Sequence, residues 1–245
     1  MLKEQIAACC KTLKLSHNLV ENCDKIEAES HEEFLLKLLK LEVEHREASR
    51  KARLLRNANF YTIKTFDGYM FDEIKFPQGL TPGDLKDCKF IEEKKNLIFY
   101  GNVGTGKTHL ATAIGVEACR KGYNVKFFRT AALVNRLVEA RKGGELSGLL
   151  KQLTKADLLI CDEWGYVPVD REGAQLLFQV ISDCYEQRSI IITTNLEFSR
   201  WMSVFYDEQM TAITDETVKL TKKFPTGAWG KIFAKMGNFL LQKTS

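Results

Sequence analysis

The chain has 245 residues, 44% of them hydrophobic, and its 36 basic against 32 acidic residues leave a formal charge of +4. That is material for one α/β domain of ordinary size plus a small appendage, and a mildly basic balance compatible with nucleic acid without arguing for it. Its apolar runs fall far short of a membrane span. Seven scattered cysteines without a C-x-x-C pair, and only four histidines, argue against a disulfide framework or a cysteine–histidine metal site; the expectation is a soluble, cytoplasmic protein with reduced thiols.

Residues 1–56 read as helical throughout. The N-terminus is an amphipathic helix pattern with Lys3, Glu4 and Lys11 rather than a signal peptide. Ser30-His31-Glu32-Glu33 forms a capping box, Ser30 as N-cap and Glu33 at the third helical position. Phe34, Leu35, Leu38, Leu39 and Leu41 then share one side at helical spacing. The helix turns basic at Arg46, Arg50, Lys51, Arg53 and Arg56 against Glu47 alone, 5 − 1 = +4. A solvated helix face is the bland reading of such a run; contact with double-stranded DNA is the other.

Residues 57–95 carry most of the punctuation, at Gly68, Pro77-Gln78-Gly79 and Pro82-Gly83. Phe60, Tyr61, Phe66, Tyr69, Phe71 and Phe76 make this connector aromatic-rich, which predicts packing rather than base stacking. From residue 96 strand and helix alternate. Residues 96–100 suit a buried strand, and His109 to Lys121 reads as a helix ending at Gly122. Further strands are expected at 124–129, 157–161 and 189–193, and helices at 130–142, 145–153 and 172–187. The alternation implies a parallel sheet covered on both faces.

Between the first strand and helix lies GNVGTGKT, a complete G-x-x-x-x-G-K-T phosphate loop. A glycine-rich turn can match this pattern by chance, but strand, loop and helix together make a nucleotide site. Gly101, Asn102, Val103, Gly104, Thr105 and Gly106 would turn backbone N–H groups toward phosphate, with the helix N-terminus at Lys107, Thr108 and His109 behind them. Lys107 can reach the β/γ-phosphates and the Thr108 hydroxyl can ligate Mg²⁺.

The strand Leu158–Cys161 ends in Asp162 and Glu163. In a P-loop NTPase such acids hold Mg²⁺ (Asp162) and orient or deprotonate the attacking water (Glu163); two solvated acids at a strand tip are the alternative. A third strand ends in Thr193-Thr194-Asn195, where Asn195 is placed to sense the γ-phosphate or simply to form a turn. The catalytic candidates are therefore Lys107, Asp162, Glu163 and Asn195, with Thr108 and Asp162 for the metal.

The stretches GNVGTGKTHLATAIG, ADLLICDEWGYVPVDREGAQLLFQVISDCYEQRSIIITTN and EFSRWMSVFYDEQMTA closely resemble the IstB-like ATP-binding proteins, from about residue 30 to Ala212. The resemblance implies an AAA+ ATPase related to the DnaC helicase loader: a P-loop core with a parallel sheet flanked by helices, after a small all-helical N-terminal domain. It also implies ATP and Mg²⁺ as cofactors, self-association into an oligomer, double-stranded DNA and a transposase as partners, and a role in target selection and strand-transfer stimulation. A replicative helicase loader is the alternative. The expected organisation is 1–56 for DNA or partner binding, 57–95 as connector, 96–212 as ATPase core and 213–245 as an atypical tail. Here the family's Asp-Arg-Leu-containing helix is not recognisable and no arginine follows Arg200. A shifted or rearranged end would explain the tail, as would divergence with lysines substituting. Loss of a trans-acting arginine would leave an ATP-bound scaffold that does not hydrolyse, with Arg188 and Arg200 as the possible substitutes.

Overall fold

The computed structural model describes residues 1–77, 79–166, 170–184 and 187–196, together with the backbone of a strand at Phe239–Lys243. Two compact units divide the chain, Met1–Arg53 and Leu54–Ser245.

The N-terminal unit holds α1 (Leu2–Thr12), α2 (Asn18–Asn22), a 3₁₀ turn (Cys23–Lys25) and most of α3 (His31–Asn57). Helix is not continuous over 1–56: it breaks at 13–17, where Lys14 has φ 54°, and again at 26–30. Ser30 caps α3 by accepting the Glu33 N–H at 3.1 Å, while the Glu33 carboxylate accepts from the Glu29 N–H at 2.8 Å, one residue earlier than a reciprocal box requires. The core here is small: Cys10, Leu19 and Val20, with Ile6, Ala7, Leu15 and Leu38 around them. The leucine face of α3 is therefore split. Leu38 packs on this core, whereas Leu35 and Leu39, which share the neighbouring helical row, stay about half exposed.

The second unit is built on a six-stranded sheet. Its strands are β1 (Ile74–Lys75), β2 (Leu97–Gly101), β3 (Val125–Arg129), β4 (Leu158–Trp164), β5 (Ser189–Thr194) and β6 (Phe239–Lys243), in the order β1-β6-β2-β5-β4-β3. All neighbours are parallel except β1 and β6. Side-chain alternation decides the two layers. Leu97, Phe99, Phe127, Leu158, Ile160 and Ile191 face α6 (Lys107–Arg120) and the connector. Ile98, Phe128, Leu159, Cys161, Ile190 and Ile192 face α7 (Thr130–Lys142), α8 (Leu146–Leu153) and α9 (Arg171–Cys184). With both faces covered, the strands read as continuous apolar runs.

On the α6 side, Phe60, Phe66, Tyr69, Phe71 and Phe76 pack against the core with α4 (Pro82–Asp87) and α5 (Lys89–Glu92), while Tyr61 is 59% exposed. Gly115 makes that contact possible: a Cβ there would lie 2.8 Å from both the Phe60 ring and Ile160 Cδ1. The chain leaving α3 also runs along edge strand β3, where the Phe127 N–H donates to Ala58 O at 2.8 Å and Lys126 Nζ to Asn57 O at 2.6 Å.

The boundaries of three elements differ from expectation. Helix α6 starts at Lys107, not His109, because Gly106 at φ 81° is itself the N-cap. Helix α9 starts at Arg171, where the Asp170 carboxylate accepts the Gly173 N–H at 2.8 Å, and its span ends at Cys184, with Gln187 in a turn. Strand β4 runs past Cys161 to Trp164 through an irregularity. Trp164 is fully buried and pairs with Thr194, whose hydroxyl donates to Trp164 O at 2.8 Å. Anchoring Trp164 in this way forces the intervening Glu163 out of the ladder, at φ 58°.

Candidate functional site

The phosphate loop joins β2 to α6. Gly104 and Gly106 sit at φ 83° and 81°, a left-handed geometry that disfavours any side chain. Lys107, 8% exposed, folds back over the loop: its Nζ donates to Gly101 O at 2.8 Å and Asn102 O at 2.6 Å. Burial lowers the Lys107 ammonium below its ordinary range, and the Asp162 carboxylate opposes that shift. The cation is thus held in the concavity where a phosphate would enter. Thr105 Oγ1 closes the turn on Asn102 O at 2.9 Å. Val103, at the loop tip, is 71% exposed.

Asp162 is the hub. It is 1% exposed and is touched by threonines from three elements. Thr108 Oγ1, on the first turn of α6, donates to Asp162 Oδ1 at 2.9 Å. Thr193 Oγ1 on β5 donates to the same oxygen, and Thr130 Oγ1 on α7 donates to Asp162 O at 2.8 Å. The Thr193 hydroxyl also accepts the Glu163 N–H at 3.0 Å, tying both acids to β5. A hydroxyl and a buried carboxylate 2.9 Å apart at the mouth of a phosphate loop make an oxygen-only donor pair, the set that a small hard cation such as Mg²⁺ takes while keeping most of its waters.

The displaced Glu163 side chain is 43% exposed, and its Oε2 lies 3.6 Å from Arg129 Nε at the end of β3. The Arg129 guanidinium in turn stacks over the Tyr61 ring, 4.6 Å from its centroid. Asn195 follows directly on β5 and is exposed; the β5 side chain in contact with Asp162 is Thr193. On the other flank, His109 Nε2 is 2.9 Å from Thr65 O, the His109 and Tyr69 rings are 5.1 Å apart, and the Tyr69 hydroxyl donates to Gly106 O at 3.4 Å. Burial pushes the Tyr69 phenol up to about 12, helped by Glu73, so it remains a donor at neutral pH.

The structure therefore brings Lys107, Thr108 and Asp162 together and sets Glu163 beside them. The sequence reading missed Thr193, Thr130 and Arg129. A signal existed for the first: two threonines closing a strand of isoleucines place hydroxyls at the tip beside the acidic strand. Arg129 gave none, since its partners come from distant segments.

The match to the family model described as IstB-like ATP binding protein runs over residues 11–230. The chain belongs to the IstB-like ATP-binding proteins. The match extends beyond Ala212 and starts well before residue 30, so the family reaches further at both ends than the sequence resemblance did. Relatives include an ATP-binding protein of insertion sequence IS232 from Bacillus thuringiensis subsp. berliner, 37% identical over 76% of this chain and 75% of that one. Another, of insertion sequence IS21 from Pseudomonas aeruginosa, is 35% identical over 83% and 79%. Among solved structures, DnaI matches with a TM-score of 0.50 at 16% identity, covering 79% of this chain and 90% of that one, which bears on the fold alone. This IstB-like chain has no helix among its described residues long and apolar enough to cross a membrane.

Along α3 of the IstB-like chain, the five basic candidates are not equivalent. Arg46 is committed: its Nε donates to Glu42 Oε1 at 2.6 Å and its guanidinium to Lys14 O at 2.5 Å. Arg50, Lys51, Arg53 and Arg56 are exposed. Arg188 is also engaged, donating to Ala156 O at 3.1 Å, while Arg200 lies outside the described residues.

Proposed function

We propose that the chain is a DNA-binding ATPase that assists the transposase of an insertion sequence in selecting and using its target. The observation that carries the ATPase reading is the junction of strand ends and one helix start at Asp162: Thr108 from the phosphate loop, Thr193 from β5, and Glu163 held by the same Thr193 hydroxyl. Loop N–H groups and the positive end of α6 bind the phosphates of ATP. Lys107 exchanges its two carbonyl partners for the β/γ-phosphate oxygens. Thr108 and Asp162 would hold Mg²⁺, which would offset charge on the phosphates.

Glu163 acts on water. Its backbone leaves the β4–β5 ladder and its carboxylate is accessible, so it can align the attacking water and take its proton. Arg129 steadies that carboxylate, and Asn195 at the tip of β5 reads the γ-phosphate. Subunits assembled around ATP would engage the DNA and release it after hydrolysis. The insertion-sequence relatives support the transposition context, and the basic stretch of α3 supports duplex DNA as the ligand.

ATP turnover by the purified protein, with and without duplex DNA, tests this directly. DNA-stimulated release of phosphate that is abolished in Glu163→Gln, with nucleotide still bound, is the expected result. Turnover in Glu163→Gln equal to that of the unaltered protein would overturn the assignment of Glu163. Nucleotide binding with no turnover at all would overturn the hydrolytic reading.

A further inference from the structure

Inside the N-terminal unit a groove of about 390 Å³ opens between the Lys14–Ser16 loop and one stripe of α3. Residues 42, 45, 46, 49, 50 and 53 line it from the helix, the i, i+3, i+4, i+7 spacing of a single face. Glu42 forms the floor at 4% exposure. Its carboxylate accepts from the Ser16 N–H at 3.1 Å, from the Ser16 hydroxyl and from Arg46 Nε. Burial alone would raise this carboxyl, but those hydrogen bonds outweigh it and hold it below its ordinary range. Glu42 and Arg46 thus neutralise each other and fix the loop against the helix. The remaining lining charges are all positive: Lys14, Arg50 and Arg53, with His45 beside them. Neither Lys14 nor Arg53 forms an ion pair with a described residue.

We infer that this groove is a phosphate-binding site that grips the backbone of duplex DNA, with Lys14, Arg50 and Arg53 as its ligands. The inference rests on the DNA reading above and assigns it a place. Leu15 is the one aliphatic side chain in the lining. A docked acidic peptide would want apolar anchors, whereas DNA interfaces are polar and strongly cationic. Arg50 and Arg53 are offset by roughly 4.5 Å along the helix at about 1.5 Å per residue. That offset lets two planar forks serve one phosphate or its neighbour. Lys51 sits about 100–160° round the helix from these two and takes no part.

The test is anisotropy of a labelled duplex of arbitrary sequence with the full-length protein over a salt series. Lys14→Gln and Arg53→Gln should each weaken binding severalfold and reduce the slope of log K against log salt by about 0.9 for each phosphate no longer neutralised. Arg53→Lys should recover most of the slope, and Lys51→Gln should leave it unchanged. Circular dichroism and basal ATP turnover without DNA should not move in any of the four, which separates removal of a cation from damage to the fold. Wild-type slope and affinity in both Lys14→Gln and Arg53→Gln overturn the groove while leaving the DNA reading standing. No duplex binding by the unaltered protein removes both. Displacement by polyglutamate without a change of DNA slope in the variants assigns the groove to an acidic protein and overturns the phosphate.

Discussion

Replacing Thr193 by valine isolates what holds the two acids in place. The substitution keeps the shape of a side chain that is 1% exposed and deletes one hydroxyl with two roles. As a donor it serves Asp162 Oδ1; as an acceptor it satisfies the Glu163 N–H at 3.0 Å. A hydrogen bond to a charged group is worth about 1.5–3 kcal/mol, and a stranded partly buried N–H costs roughly 1 kcal/mol more. The expected destabilisation is therefore about 2–4 kcal/mol, or about 4 °C or more in Tm at roughly 2–4 °C per kcal/mol for a chain of this size. Activity should suffer separately. Glu163 depends on that bond to keep its displaced backbone, and a misplacement near 1 Å costs on the order of 100-fold in rate. The phosphate loop is untouched, so KM for ATP should hold while kcat falls. Thermal unfolding and steady-state phosphate release read the two effects, and Thr193→Ser should restore both. A valine variant with wild-type Tm and kcat would mean that β4 alone positions Asp162 and Glu163.

Gly115→Ala should destabilise the ATPase unit by about 1–3 kcal/mol through overpacking, because its new methyl would meet Phe60 and Ile160 at 2.8 Å; urea unfolding checks this, and Phe60→Leu in the same chain should relieve part of it. Alkaline pH should also destabilise the protein. Burial pushes the Cys88 thiol up to about 12 and the Cys119 and Cys184 thiols up to about 11, from 9.0. Below pH 9 the thiols are protonated in both states and their contribution is complete; above it the unfolded chain sheds protons that the folded one keeps, so stability falls through pH 11–12. Urea midpoints at neutral pH and at about pH 10.5, between the unfolded and folded values, measure the fall, which should be shallower in Cys119→Ala.

Most of the ATPase unit is legible in the sequence because its strands are apolar on both faces and its helices end where glycine or a cap says so. Helix 130–142 is recovered to the residue. What escapes such a reading is what depends on distant partners. Charged residues after Cys161 look like the end of a strand, yet burial of the Trp164 indole carries the strand on and turns Glu163 out of it. Leu35 and Leu39 match the helical period of Leu38 as well as any core residue does. Period alone does not say how wide the covering surface is, and a core of three buried residues covers one row.

The tail shows the same limit from the other side. Residues 213–245 lack the family's Asp-Arg-Leu-containing helix and any arginine, and on those grounds the segment reads as atypical. Yet Phe239–Lys243 pairs in parallel with the whole of β2, from Leu97↔Phe239 to Gly101↔Lys243, and lies between β2 and β1. A strand at that position hydrogen-bonds the far edge of the one that launches the phosphate loop. Without it, β2 would be flanked by β5 alone and would present an unpaired edge beside Gly101. A parallel partner also requires a long crossover, so the information that fixes it lies in the pairing rather than in the five residues themselves. Whatever the intervening chain contributes, the last strand makes the tail part of the nucleotide-binding sheet rather than an appendage to it.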